Sequence, residues 1–144
     1  MLTVPNLLWA KRQPEGYAEA AAAENRVLLV LERVGEVLVT GLALVSADLN
    51  PRPWSLSSLW LALSFVLMLM YEGYWLRYFR GPRTLADMYA SFLGVPVAGA
   101  TLPVAAFFAL ALYGRNLPLF IAVCVLGVGH IGIHLSHRRR IRSR

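Results

Sequence analysis

The side chains best suited to chemistry are glutamates and histidines that lie inside apolar stretches of the sequence. His130 and His134 are four positions apart, and Glu32 and Glu36 share that spacing. On a helix, residues four apart lie on the same face. Ionisable groups in an apolar environment are costly unless they face inward and find partners. We therefore expect the two pairs to face each other across a helix interface.

Two further polar residues complete the predicted site. Glu72 ends a long uncharged run, and Thr101 lies between Pro96 and Pro103, whose missing N–H groups free backbone carbonyls. The candidate residues for binding a substrate or ion are Glu32, Glu36, Glu72, Thr101, His130 and His134.

A metal is a second use for some of these side chains. Two imidazoles four residues apart can chelate Zn or Fe, and a carboxylate can serve as a third ligand. His130, His134 and Glu72 are therefore candidate metal ligands. The alternative is that the histidines only form hydrogen bonds with the glutamates.

Composition indicates the environment in which these groups must lie. The chain has 144 residues, of which 58% are hydrophobic and 15% charged, whereas soluble domains average about 25% charged residues. So much apolar surface predicts a lipid bilayer as solvent. The net charge of +6 comes largely from arginines at the ends of apolar runs, which favours anionic lipid headgroups as partners and argues against nucleic acid.

Uncharged runs give the expected helices. Residues 53–71, 88–114 and 116–137 contain no Asp, Glu, Lys or Arg, and a helix needs about 20 residues to cross the hydrocarbon. A fourth, weaker span begins at Val27 and includes Glu32, Arg33 and Glu36. The predicted fold class is all-α, an integral membrane four-helix bundle with spans at 27–47, 54–76, 88–113 and 117–137 and a third helix kinked at Pro96 and Pro103. Residues 1–26 are an expected interfacial segment, and 138–144 a basic cytoplasmic tail.

The distribution of basic residues predicts the orientation. With both termini inside, eleven of the 14 Lys and Arg residues lie on the cytoplasmic side, and only Arg52 and Arg115 lie in outside loops. This asymmetry is typical of multi-pass proteins whose termini are cytoplasmic. In that orientation the candidate glutamates and histidines fall in the cytoplasmic half of the bilayer.

Several motifs are similar to those of a known group of proteins. They are ERVG (32–35), NPRPWS (50–55), YEGYWLRYFR (71–80), GVPVAGATLPVAAF (94–107) and GHIGIHL (129–135). These motifs resemble an uncharacterised family of small bacterial four-helix integral membrane proteins. The resemblance, over about residues 24–137, implies a bacterial inner-membrane location and brings no activity with it.

Three functions fit these features. The favoured hypothesis is a proton- or ion-coupled transporter or channel that uses the buried glutamates and histidines. The second is a structural or accessory membrane subunit, and the third is a metal-dependent enzyme acting on a lipid. The small size also predicts a homo-oligomer or a membrane-protein partner. No nucleotide-binding loop, hydrolase elbow or redox cysteine pair is present, which argues against soluble enzyme classes.

Overall fold

A computed structural model describes residues 3–143 of the chain. Over that range the chain forms seven α-helices and one short 3-10 helix, with no β-strand, so the all-α prediction is confirmed. The helices are α1 (Thr3–Ala10), α2 (Tyr17–Ala22), α3 (Arg26–Val45), α4 (Ser58–Arg80), α5 (Leu85–Met88), α6 (Ala98–Gly114) and α7 (Leu117–Arg142), and the 3-10 helix is Ala47–Leu49.

Asparagine caps set the first residues of α3 and α7. The Asn25 side chain accepts a hydrogen bond from the Val27 N–H at 2.8 Å. The Asn116 side chain accepts one from the Leu119 N–H, also at 2.8 Å. Each cap satisfies an amide that has no partner within its helix. The two helices that carry most of the predicted site therefore begin at positions encoded locally.

The four long helices pack in the order α3, α7, α6 and α4. Two of them, α4 and α7, are long and apolar enough to cross a membrane. Helix α6 is apolar but has 17 residues, and α3 carries three charged side chains in its first half. Helices α3 and α4 do not pack closely against each other.

Helices α3 and α7 meet through glycines on both sides. A Cβ atom added to Gly129 would lie 2.3 Å from the backbone nitrogen of Glu32, and one added to Gly35 would lie 2.5 Å from the Cα of Leu126. Backbone atoms at such distances leave no room for any side chain. The two helices therefore touch backbone to backbone over this stretch, as small residues permit in membrane helices.

The third predicted span is corrected by the structure. Its first part, residues 89–97, is not helical but contains a turn in which Phe92 and Val95 pair through their backbones. Leu93 and Gly94 have positive φ angles of 50° and 82°, which a continuous helix does not allow. Helix α6 begins only at Ala98. Pro96 thus precedes the helix instead of kinking it, and Pro103 alone lies inside it.

The N-terminal segment packs on the long helices. The Tyr71 hydroxyl of α4 donates a hydrogen bond to the Asn6 side chain of α1 at 3.2 Å. The Trp9 ring meets the Tyr17 ring edge-on at a centroid distance of 4.8 Å. Of the predicted interfacial segment 1–26, residues 1 and 2 lie outside the described residues.

The predicted basic tail is mostly helical. Helix α7 continues to Arg142, so residues 138–142 extend the helix beyond the predicted end of the span at residue 137. Arg144 lies outside the described residues.

One short segment ties α4 to α7. The Arg77 guanidinium of α4 donates to the Ser91 carbonyl at 2.9 Å. The Arg138 guanidinium of α7 donates to the Ser91 hydroxyl at 3.0 Å. Hydrogen bonds from a charged donor are stronger than neutral ones. Ser91 therefore joins α4 and α7, the two helices that are long and apolar enough to cross a membrane.

We predict that Gly129→Ala destabilises the protein by about 1–3 kcal/mol, because the new methyl group must push apart two helix backbones. Gly41→Ala on α3 is the matched control, since a Cβ there meets nothing within 4 Å. The control should leave stability unchanged or raise it by about 0.5–1 kcal/mol, because alanine favours a helix. Thermal unfolding in detergent, followed by circular dichroism, measures both; equal melting temperatures for the two variants would contradict the close contact.

Candidate functional site

A cavity of about 620 Å³ opens between α3 and α4, and side chains of α1, α6 and α7 also line it. Four of the six predicted site residues line this cavity, namely Glu32, Glu36, His130 and His134. They come from α3 and α7, the two helices that the glycine contact holds together. The structure therefore brings the two spaced pairs to one place.

Glu32 and His130 form the closest polar contact between the two helices. The Oε1 atom of Glu32 lies 2.5 Å from Nδ1 of His130. Their side chains are 11% and 23% exposed, so little water competes for this hydrogen bond. His130 directly follows Gly129, and this glycine lets the α3 backbone approach at Glu32. The absence of one side chain thus sets the distance between two others.

A second glutamate–histidine pair lies beside the first. Nε2 of His137 is 2.9 Å from Oε1 of Glu24, and the two side chains are 2% and 12% exposed. The Arg140 guanidinium donates to the Ala23 carbonyl at 2.8 Å and holds the same segment against α7. Sequence reasoning missed this pair because Glu24 precedes the helix cap Asn25 and His137 precedes a run of arginines, so each looks solvated in isolation.

His134 lies between the two pairs without a polar partner of its own. Its Nδ1 atom is buried and has no hydrogen-bond partner among the described residues. The ring lies 4.7 Å from the His130 ring and meets the Tyr89 ring edge-on at 5.1 Å. Tyr89 in turn stacks on His137 at 4.9 Å. The three histidines of α7 and Tyr89, which follows α5, therefore form one contiguous cluster.

Glu36 occupies a more open position. It accepts a hydrogen bond from the Arg33 guanidinium at 3.0 Å, and the side chains are 43% and 69% exposed. An exposed pair of this kind contributes at most about 1 kcal/mol to stability. Glu36 therefore lies at the mouth of the cavity, whereas Glu24 and Glu32 lie deeper.

Aromatic side chains supply much of the cavity wall. Seven line it, namely Trp9, Tyr17, Tyr71, Tyr74, Trp75, Tyr89 and Phe107. A buried face of α4 provides Tyr71, Tyr74 and Trp75. On α2, burial raises the pKa of the Tyr17 phenol. The spacing of 71, 74 and 75 on a helix is the only sequence signal that could have identified this wall.

The other two predicted site residues lie elsewhere. Thr101 donates its hydroxyl hydrogen to the Pro96 carbonyl at 2.8 Å and so closes the first turn of α6. Glu72 does not line the cavity, and its Oε1 atom is buried without a hydrogen-bond partner among the described residues. Glu72 follows Tyr71 directly, so it points about 100° away from the face that borders the cavity.

The structure does not bring the three predicted metal ligands together. Within residues 3–143, no group of three or more His, Cys, Asp or Glu side chains is placed to hold a metal ion. Helix α4, which carries Glu72, packs chiefly against α6, whereas His130 and His134 belong to the interface between α7 and α3. The expected set of His130, His134 and Glu72 for Zn or Fe is therefore not assembled.

Comparison with protein-family models, with curated proteins and with solved structures found no match to this chain. The functional assignment therefore depends on the geometry of the cavity.

A double-mutant cycle tests the contact between Glu32 and His130. We expect Glu32→Gln and His130→Ala to show a coupling free energy of about 1–2 kcal/mol, since the first removes the negative charge and the second the imidazole of the same buried contact. The control cycle pairs Glu36→Gln with His130→Ala and should show no coupling, because Glu36 binds Arg33. Unfolding in mixed detergent gives the four free energies for each cycle. Equal coupling in both cycles would argue against a specific pair.

Proposed function

We propose that this chain is an integral membrane protein that carries a small solute across the bilayer in a proton-coupled cycle. The observation that carries the proposal is the Glu32–His130 hydrogen bond of 2.5 Å, which borders a cavity large enough for a small molecule. Glutamate and histidine inside membrane segments mark proton and ion pathways. In the proposed cycle this pair binds the proton.

Exposed apolar surface supports the membrane part of the proposal. Only 17% of the most apolar window of α4, and 33% of that of α7, is buried within the chain. A core helix of a soluble protein would bury most of such a window. Val37 and Leu44 of α3 are 73% and 81% exposed. Apolar area on this scale needs lipid or another protein against it.

In this proposal α3, α4, α6 and α7 are the four membrane helices, and both termini face the cytoplasm of a bacterial cell. The charged groups of α3 are compatible with a span because Glu32 faces α7 and Glu36 is neutralised by Arg33. Unpaired backbone groups and ionisable side chains at membrane depth are tolerated where they line a cavity. The segment 89–97 lies at the cytoplasmic ends of α4 and α7, next to their arginines.

Proton coupling follows from the chemistry of the pair. An imidazole and a carboxylate can each bind and release a proton in water. A solute that enters the cavity changes the solvation of Glu32 and thereby its affinity for protons. Binding of solute and binding of protons are then linked, and the linkage is reciprocal.

An accessory role is the second candidate, favoured by the exposed apolar faces of α3 and α4. A second copy of the chain or another membrane protein could cover them in place of lipid. In that case the cavity would be a packing feature and no solute would move. The transport experiment below separates the two candidates.

We expect purified protein in liposomes to move protons when a pH gradient is imposed and the outer solution supplies a suitable solute. The solutes tested one at a time are Na⁺, K⁺, small organic cations, small organic anions and neutral amino acids. A pH-sensitive dye inside the vesicles reports proton movement. Glu32→Gln should abolish the signal because a glutamine cannot bind the proton. Glu15→Gln, at an exposed position outside the cavity, should retain it. No proton movement in any arm would favour the accessory role.

The proposed orientation is tested by cysteine labelling in intact cells. In a Cys124→Ala background, we expect Arg115→Cys to react with a maleimide that cannot cross membranes. Ser143→Cys should react only after the cells are permeabilised. The turn between α6 and α7 is then outside and the end of α7 inside, as the basic residues predict. The reverse labelling pattern would overturn the orientation.

A further inference from the structure

We infer that the cavity binds a hydrophobic organic cation. The inference deepens the proposed carrier function by naming the class of its solute, and it depends on that function for its biological meaning. It is drawn from the charges and rings that line the cavity.

The charge balance of the lining favours a cation. Of the residues that the structure describes, three carboxylates, Glu24, Glu32 and Glu36, border the cavity together with a single guanidinium, that of Arg33. The carboxylates therefore outnumber the guanidinium by two. Arg33 already binds Glu36 and is 69% exposed. An anion that entered would therefore meet the buried Glu24 and Glu32 without a deep counter-charge, at a high cost.

A neutral apolar solute is also disfavoured. It would displace water from around Glu24 and Glu32, which are only 12% and 11% exposed. Each carboxylate would keep one histidine nitrogen as its partner, and its remaining lone pairs would lose water. A cation restores what the displaced water provided. The carboxylates therefore select for positive charge.

The rings of the wall favour a hydrophobic form of that charge. Trp9 and Tyr17 meet edge-on at 4.8 Å, and Tyr74 and Trp75 do so at 5.4 Å. Indole and phenol faces attract cations, most strongly where water is excluded. A strongly hydrated ion such as Na⁺ would have to give up its water on entering, and apolar side chains cannot replace that water. A quaternary ammonium group carries little water and suits such rings.

The dimensions agree with this class of ligand. The cavity of about 620 Å³ falls in the range of about 300–1,000 Å³ that is typical of sites for drug-sized molecules. His134 adds one orienting group, because its buried Nδ1 atom has no partner among the described residues. A ligand with a hydrogen-bonding group beside its charge could use that nitrogen.

Isothermal titration calorimetry on the full chain in detergent tests the inference, with benzyltrimethylammonium as the probe. Benzyl alcohol and benzenesulfonate are the neutral and anionic comparisons. We expect saturable binding of the cation, with affinity at least about tenfold above that for either comparison. Glu24→Gln and Trp9→Leu should each weaken cation binding by about tenfold. Circular dichroism and gel filtration confirm that these variants are folded.

Two matched controls lie outside the cavity. Glu15→Gln removes an exposed carboxylate, and Trp54→Leu removes an indole that is 92% exposed. Both should bind the cation as the unchanged protein does. Absent binding, equal binding of benzyl alcohol, or loss of binding in the two controls would each overturn the inference.

The outcomes also separate this inference from the carrier proposal. Cation binding in detergent without proton movement in liposomes supports the cation site and overturns the carrier. Proton movement driven by an anion or a neutral solute, with no cation binding, supports the carrier and overturns the cation site.

Discussion

The backbone contact between α3 and α7 at Gly35 and Gly129 determines the distance between Glu32 and His130, and the cavity chemistry depends on that distance. A hydrogen bond is lost within about 1 Å of extra separation. A single methyl group at Gly129 would demand more than that, since its Cβ would lie 2.3 Å from the Glu32 nitrogen. The polar pair is therefore positioned by two residues that have no side chains.

Short segments outside the long helices complete the packing of α4. Its buried tyrosines need hydrogen-bond acceptors, because an unpaired buried hydroxyl is costly. The Tyr74 hydroxyl donates to the Met88 carbonyl at the end of α5, the Tyr71 hydroxyl to Asn6 of α1, and the Tyr78 hydroxyl to the Arg83 carbonyl at 3.3 Å. One face of α4 thus depends on three separate segments, and the aromatic wall of the cavity depends on all of them.

Part of this arrangement could be predicted from the sequence, and part could not. The spacing of Glu32 and Glu36, and of His130 and His134, predicts their helix faces, because helical geometry is local. The apolar runs predict the positions of α4 and α7. Glu72 was assigned to the site by its depth along α4, but depth does not specify the direction around the helix axis. That direction follows from which helix α4 packs against, and such pairing is not encoded locally.

The third helix and the second polar pair show the same limit. Pro96 and Pro103 indicate an interrupted helix but not where it begins. Leu93 and Gly94, which have positive φ angles, lie in a turn closed by backbone hydrogen bonds between Phe92 and Val95, and neither proline specifies that turn. Glu24 precedes a helix cap and His137 precedes a run of arginines, so each looks solvated in isolation. Only the approach of α3 to α7 buries them together.

The two hydrogen bonds of Ser91 couple the movement of α4 to that of α7. Its carbonyl accepts a hydrogen bond from Arg77 of α4, and its hydroxyl accepts one from Arg138 of α7. The serine therefore links the two long helices. If α4 tilts relative to α7, either one of these hydrogen bonds breaks or Ser91 moves together with the residues next to it. Tyr89 lies two positions away and contacts His134 and His137. Tilting of α4 relative to α7 is thereby transmitted as a shift of the Tyr89 ring against the two histidines.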